Sequence, residues 1–270
     1  MTNTYHFIPD YPDVTLTTYL CDEPSETPRS ALIICPGGAY CNLSDREKVS
    51  IAQYYRAAGI NAFILAYSCA EKAANFAPLI QATSAIRFLR QNAEAFGIDP
   101  KRIFILGFSA GGHLAASTGI LWNSSVVRHA LGFENTEEAR ICRPDGMILS
   151  YPVITGGEFR HARSFERLCG KENPTEEERM PFSLELHVDE TTPPTFIWHT
   201  FSDAAVPIEN TLLLIQALAE KKISLEAHIF PKGPHGMSLA TKETACRNPE
   251  FIDSHVAHWT ELSVEWIQNF

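Results

Sequence analysis

At 270 residues, 45% of them hydrophobic and 20% charged, the chain is long enough to bury one sizeable core and has the make-up of an ordinary globular domain. A net charge of -10 without any basic run argues against a nucleic-acid partner, since nothing would neutralise a phosphate backbone. No apolar stretch approaches the roughly 20 residues of a membrane-spanning helix, and the start, Met1-Thr2-Asn3-Thr4-Tyr5-His6-Phe7-Ile8-Pro9, lacks a basic region followed by an apolar core, so the expectation is no membrane partner, no secretory signal and a cytoplasmic location.

In chain order, Val14-Thr15-Leu16-Thr17-Thr18-Tyr19-Leu20 alternates and predicts an antiparallel strand at the sheet edge, followed by a turn with two prolines over residues 22–30. Ala31-Leu32-Ile33-Ile34-Cys35 predicts a buried strand running into Pro36-Gly37-Gly38-Ala39-Tyr40. Residues 45–58 predict a helix ended at Gly59, and residues 62–67 a strand. In the next helix Ile86, Leu89, Ala93 and Phe96 share a face, and Gly97 stops it.

The strand Arg102-Ile103-Phe104-Ile105-Leu106 then meets Gly107-Phe108-Ser109-Ala110-Gly111-Gly112 and a small-residue helix. Strand, tight turn and helix with a serine at the apex form a nucleophile elbow, GxSxG, in which flanking glycines let the backbone bend and present the hydroxyl. Ser109 is therefore the candidate nucleophile. Residues 122–143 and 153–194 lose the strand-helix rhythm and read as loops over the sheet edge; the acidic run within residues 172–179 reads as a solvated helix start. No large lid domain fits in them.

A serine hydroxyl needs a basic histidine and a carboxylate that orients it. Pro194-Thr195-Phe196-Ile197-Trp198-His199-Thr200 reads as a buried strand with Asp203 just beyond its end, before a helix opened by Val206-Pro207. Leu225-Glu226-Ala227-His228-Ile229-Phe230 alternates as a strand, and the turn-rich loop behind it carries His235. Of the ten histidines, His199 and His228 fall inside strand runs and His113 on the elbow helix, where structural roles are expected. Asp145 precedes its strand instead of following it, and Asp189 lies in an irregular stretch. The candidates are Ser109, Asp203 and His235. An oxyanion hole requires two backbone N–H donors: Ala110 directly after the nucleophile, and the Gly38 and Ala39 loop.

Taken together, Ile34-Cys35-Pro36-Gly37-Gly38-Ala39-Tyr40, Phe63-Ile64-Leu65-Ala66-Tyr67-Ser68, Asp99-Pro100-Lys101-Arg102-Ile103 with the elbow, Thr192-Pro193-Pro194 through Thr200, and Gly233-Pro234-His235-Gly236 resemble the α/β-hydrolase superfamily, in its esterase/lipase group of acetylxylan-esterase-like carbohydrate esterases. The resemblance implies one domain over residues 1–270, a mostly parallel doubly wound sheet with helices on both faces, the triad Ser109, Asp203 and His235, and hydrolysis of short-acyl esters, acetyl above all, of a small molecule or oligosaccharide. Where many relatives have His-Gly-Gly-Gly, this chain has Pro36-Gly37-Gly38-Ala39, which leaves backbone donors in place but alters the acyl pocket. Tyr40 and Trp122 are candidates for sugar stacking or for packing.

Seven cysteines, an odd number without Cys-x-x-Cys spacing, predict reduced thiols and no metal site, and the proposed chemistry calls for no cofactor. Assembly into a homo-oligomer is left open. Two other readings stay in view. A prolyl-oligopeptidase-like peptidase uses the same triad but carries a propeller that this length does not accommodate, and a non-catalytic hydrolase-fold protein would be expected to lack a triad member.

Overall fold

Every side chain of the run Ala31-Leu32-Ile33-Ile34-Cys35 is buried, yet neighbours along it go to opposite sides: Ala31, Ile33 and Cys35 join one apolar cluster, Leu32 and Ile34 another. A strand buried on both faces demands a sheet covered on both faces, which is the setting of parallel sheets. The computed structural model describes residues 2–22 and 27–270. Among them the strands are β1 (Thr4–Tyr5), β2 (Thr15–Tyr19), β3 (Arg29–Cys35), β4 (Asn61–Ala66), β5 (Ile98–Phe108), β6 (Gly146–Ser150), β7 (Thr195–Thr200) and β8 (Leu225–Phe230). They form one sheet in the order β1-β2-β4-β3-β5-β6-β7-β8, antiparallel in its first two pairings and parallel from β4 onward.

On one face, helices Ala77–Gln91, Ala110–Ile120 and Glu209–Glu220 contribute Ile86, Leu89, Leu114, Leu214 and Leu218 to the first cluster. On the other, Val49–Ala57 and Ser254–Gln268 contribute Ile51, Tyr55, Val256 and Trp259. The Trp259 ring stacks on Trp198 of β7 at 5.0 Å, an aromatic pairing worth about 1 kcal/mol beyond its buried area, and so docks the last helix on the sheet. No helix among the described residues is long and apolar enough to cross a membrane.

The register places the site. Cys35 pairs with Gly107, Phe108 with Ser150, Ser150 with Trp198, and Thr200 with Phe230, so the loops leaving β3, β5, β6, β7 and β8 open at one edge. Ligands of doubly wound sheets bind at this carboxyl edge.

Several expectations need correction. The antiparallel strand at residues 15–19 is not the edge, because β1 pairs outside it. The turn anticipated over residues 22–30 lies partly outside the described residues. Residues 45–58 are a short 3-10 turn, Asp45–Glu47, and then the helix Val49–Ala57, broken at Lys48 by a backbone at φ -116° and ψ -101°. The two stretches expected as loops contain short helices, Ser125–Leu131, Thr136–Ala139, Ala162–Cys169 and Glu176–Arg179. Side chains of Ser124, Asn135 and Thr175 cap three of them, and Thr175 with Glu178 forms a capping box, which makes the acidic run a helix start as expected.

Candidate active site

Strand β5 ends at Phe108 and the elbow helix begins at Ala110, which leaves Ser109 to make the whole turn at φ 53° and ψ -117°. A non-glycine residue there costs on the order of 1–3 kcal/mol and persists only where the surroundings hold it. Here they do: the Ser109 N–H donates to Ser150 O at 3.0 Å, and Ser109 O accepts from His113 N–H at 3.0 Å and Val153 N–H at 3.1 Å. The turn closes so tightly that a Cβ on Gly107 would stand 1.9 Å from Gly111 O, so only glycine fits.

The His235 Nε2 lies 2.8 Å from Ser109 Oγ, and its Nδ1 lies 2.6 Å from Asp203 Oδ2. Since a carboxylate oxygen can only accept, Nδ1 carries the proton, and the Nε2 lone pair faces the serine hydroxyl. Asp203 is fixed from both sides. Its Oδ1 accepts the N–H groups of Ala205 and Val206 at 2.9 and 3.0 Å, and its side chain is wholly buried. Burial alone would raise its pKa, but hydrogen bonds from His199 and His235 outweigh that and hold the carboxyl well below the usual carboxylate range. The loops carrying the two residues are clamped together, since the Thr200 hydroxyl donates to Gly233 O at 2.9 Å and Ser202 Oγ accepts the Gly233 N–H at 3.1 Å.

Ala110 opens the elbow helix directly after Ser109, where the first N–H groups have no partner within the helix. In the loop after β3, Gly38 O accepts from Cys41 N–H at 2.8 Å and Asn42 N–H at 3.3 Å, curling the chain back on itself. Gly38 sits at φ 130°, where a Cβ would meet Asn42 O at 2.1 Å. Ala39 follows at φ 57°. Among the described residues neither the Gly38 nor the Ala39 N–H donates to a backbone acceptor, so both are unspent.

One contact of the site was not anticipated. His199, expected to be structural, turns its Nε2 to Asp203 Oδ2 at 3.2 Å and to Val206 O at 3.1 Å, while its Nδ1 lies 2.7 Å from Thr211 Oγ1. Two acceptors at Nε2 place the proton there, so Thr211 donates to Nδ1. The four-residue spacing of His199 and Asp203 across a strand end was the available signal. His161 also lies within electrostatic reach of His235 and Asp203; burial, reinforced by His235, lowers its pKa.

The other candidates have separate partners. Tyr40 and Trp122 are buried at 1% exposure each, so neither ring presents a face to a sugar; Tyr40 OH lies 2.8 Å from His113 Nδ1. His228 meets Glu226, and Asp145 meets Arg90 and the Ile103 N–H. Asp189 accepts from Thr191 in a turn. Burial pushes the Cys142 thiol up to about 12, which suits inert packing. Among the described residues no group of three His, Cys, Asp or Glu side chains is placed to hold a metal ion.

The sequence matches the family BD-FAE over residues 16–218. It is 40% identical over 244 residues to endo-1,4-beta-xylanase B of Butyrivibrio fibrisolvens, covering 89% of this chain and 36% of that protein. It is 28% identical over 227 residues to the acetylxylan esterase of Xylanibacter ruminicola, covering 82% and 44%. The chain thus spans less than half the length of these two curated relatives. Among solved structures, the acetyl ester-xyloside bifunctional hydrolase of Caldicellulosiruptor lactoaceticus aligns with a TM-score of 0.80 at 36% identity, over 95% of this chain and 88% of that one.

Proposed function

We propose that this chain, which belongs to the BD-FAE family and has the α/β-hydrolase fold, is a carboxylic ester hydrolase that cleaves short-acyl esters of a carbohydrate through Ser109, His235 and Asp203. The observation that carries this reading is the continuous hydrogen-bonded line from Asp203 through His235 to Ser109, at 2.6 and 2.8 Å. His235 Nε2 takes the hydroxyl proton as Ser109 Oγ attacks the ester carbonyl, and the buried Asp203 carboxylate stabilises the resulting imidazolium. The carbonyl oxygen, now negative, is held by the N–H of Ala110 and by those of Gly38 and Ala39, donors worth about 3 kcal/mol apiece in such sites. His235 returns its proton to the departing alcohol, which leaves the acyl group on Ser109. Water, deprotonated by the same nitrogen, then releases the carboxylic acid and restores the serine.

The choice of an acetyl ester on a xylan-type sugar rests on the relatives, of which one is an acetylxylan esterase and another an acetyl ester-xyloside hydrolase. The test is acetate release from acetylated xylo-oligosaccharide, beside a p-nitrophenyl ester series of increasing acyl length, for wild type and Ser109→Ala. The expected result is turnover that falls with acyl length and vanishes in the variant. Acetate release that survives Ser109→Ala would overturn the assignment of the nucleophile, and a preference for long acyl chains would overturn that of the substrate.

A further inference from the structure

Beneath the nucleophile lies a carboxylate that the mechanism above does not use. Glu47 ends the 3-10 turn Asp45–Glu47 and is only 4% exposed. Its Oε2 accepts the N–H of Gly37 at 2.8 Å, and its Oε1 accepts the hydroxyl of Tyr151 at 2.7 Å. The Tyr151 oxygen in turn accepts the N–H of Ser238 at 3.0 Å. A carboxylate withdrawn from water is costly unless its oxygens are satisfied; Glu47 has two direct partners, Gly37 and Tyr151, and reaches Ser238 through the Tyr151 hydroxyl.

Gly37 and Ser238 belong to the two loops that the chemistry needs in register, and Tyr151, just past β6, bridges them. Gly37 immediately precedes the Gly38 and Ala39 donors, and a Cβ on it would stand 3.0 Å from Ser109 Cβ and 2.8 Å from Phe108 O, so this loop lies directly against the nucleophile. Ser238 is three residues beyond His235. Tyr151 also sets its ring edge-on to the His235 imidazole, with centroids 5.1 Å apart, and holds a left-handed backbone at φ 39° that its side chain does not favour. A second tie runs alongside, from Ser238 Oγ to Arg46 O at 2.8 Å.

We infer that Glu47, through Gly37 on one side and Tyr151 on the other, is a positioning residue that fixes the oxyanion loop and the His235 loop relative to Ser109. It touches no reacting atom. Its effect is geometric: without it the Gly38 and Ala39 donors and the His235 ring keep their chemistry but lose their common frame, and displacements of an ångström are expensive in such sites. The inference rests on the esterase reading above.

Glu47→Gln tests it, because the amide matches the carboxylate in size but must turn an NH2 toward either the Gly37 N–H or the Tyr151 hydroxyl. Tyr151→Phe is the second variant, keeping the ring against His235 while deleting the bridge. Single-turnover acylation by p-nitrophenyl acetate would be measured per competent site, with sites counted by the burst and folding followed by thermal melts. Affinity for an alkylboronic acid, which mimics the tetrahedral intermediate, would be measured alongside. The expected result is an acylation rate per site reduced about 100-fold in Glu47→Gln and about 10-fold in Tyr151→Phe, boronate affinity reduced in proportion, and KM within about threefold of wild type. A role in folding alone would lower the number of sites and leave the rate of each intact. That outcome in either variant, or a per-site rate within threefold of wild type, overturns the inference. Ser109→Ala serves as the control for the reading beneath it: if that variant still acylates, the esterase assignment fails, whereas an inert Ser109→Ala beside a fully active Glu47→Gln refutes the positioning role alone.

Discussion

His235 and His199 reach the same oxygen of Asp203 from two different regions of the molecule, and the contrast shows how setting assigns a task to a side chain. His235 stands on the turn-rich loop after β8, with its side chain 24% exposed and its second nitrogen facing a serine hydroxyl. His199 is embedded in β7 at 0% exposure, with its second nitrogen occupied by a threonine on the covering helix. Each offers Asp203 one N–H. In the proposed mechanism only the loop histidine can gain and lose a proton toward substrate, while the strand histidine has both nitrogens committed to the protein and can only hold the carboxylate still.

The strongest way to break this contrast is to remove the groups on the reactive side. His235→Ala is expected to lower kcat about 10^6-fold and Asp203→Asn about 10^4-fold, both measured with p-nitrophenyl acetate, because the first deletes the base and the second inverts the ring's tautomer. Should His235→Ala retain turnover within tenfold of wild type, the loop histidine is not the base. His199→Gln is expected to cost only about tenfold in kcat, with a stability loss of about 1–3 kcal/mol from a weakened buried network, visible as a lower melting temperature. A loss on the scale of Asp203→Asn would place His199 among the groups that move protons and erase the difference between the regions.

The smallest effect concerns stability and a third histidine. His113 is buried on the elbow helix, facing the Tyr40 hydroxyl and Phe182 O, and burial lowers its pKa from 6.5 to about 4. As pH falls below 6.5 the unfolded chain takes up a proton that the folded protein refuses. Stability from this residue is therefore complete above about 6.5 and drains away between about 6.5 and 4, by up to about 3 kcal/mol. Denaturant melts at pH 7, 5.5 and 4.5 should show that slope in wild type and a flatter one in His113→Gln; parallel slopes would remove His113 as the cause.

The sequence alone made Ser109, Asp203 and His235 conspicuous because each sits just past a strand, and strand ends with glycine or proline nearby are local patterns. The sheet was legible for the same reason, since apolar runs such as Ala31 to Cys35 and Ile103 to Leu106 admit little else. For His199 the sequence offered only its spacing from Asp203, because strand alternation does not say what a polar side chain meets on the face it enters. The bond between Glu47 and Tyr151 spans 104 positions, and no spacing within a window can reveal it. The short helices at 125–131 and 136–139 escaped because they depend on capping by single side chains and on the core they lie over, with too few residues for a helical period to show.

Ser109, the proposed nucleophile, occupies a backbone conformation, φ 53° and ψ -117°, that glycine would accept with less strain. In the proposed mechanism that strain accompanies the presentation of the hydroxyl at the apex of the turn, and a glycine there would relieve the one while deleting the other. Directed evolution for heat tolerance should thus be screened on turnover as well as on melting, since the easiest gain at this turn is an enzyme that no longer reacts.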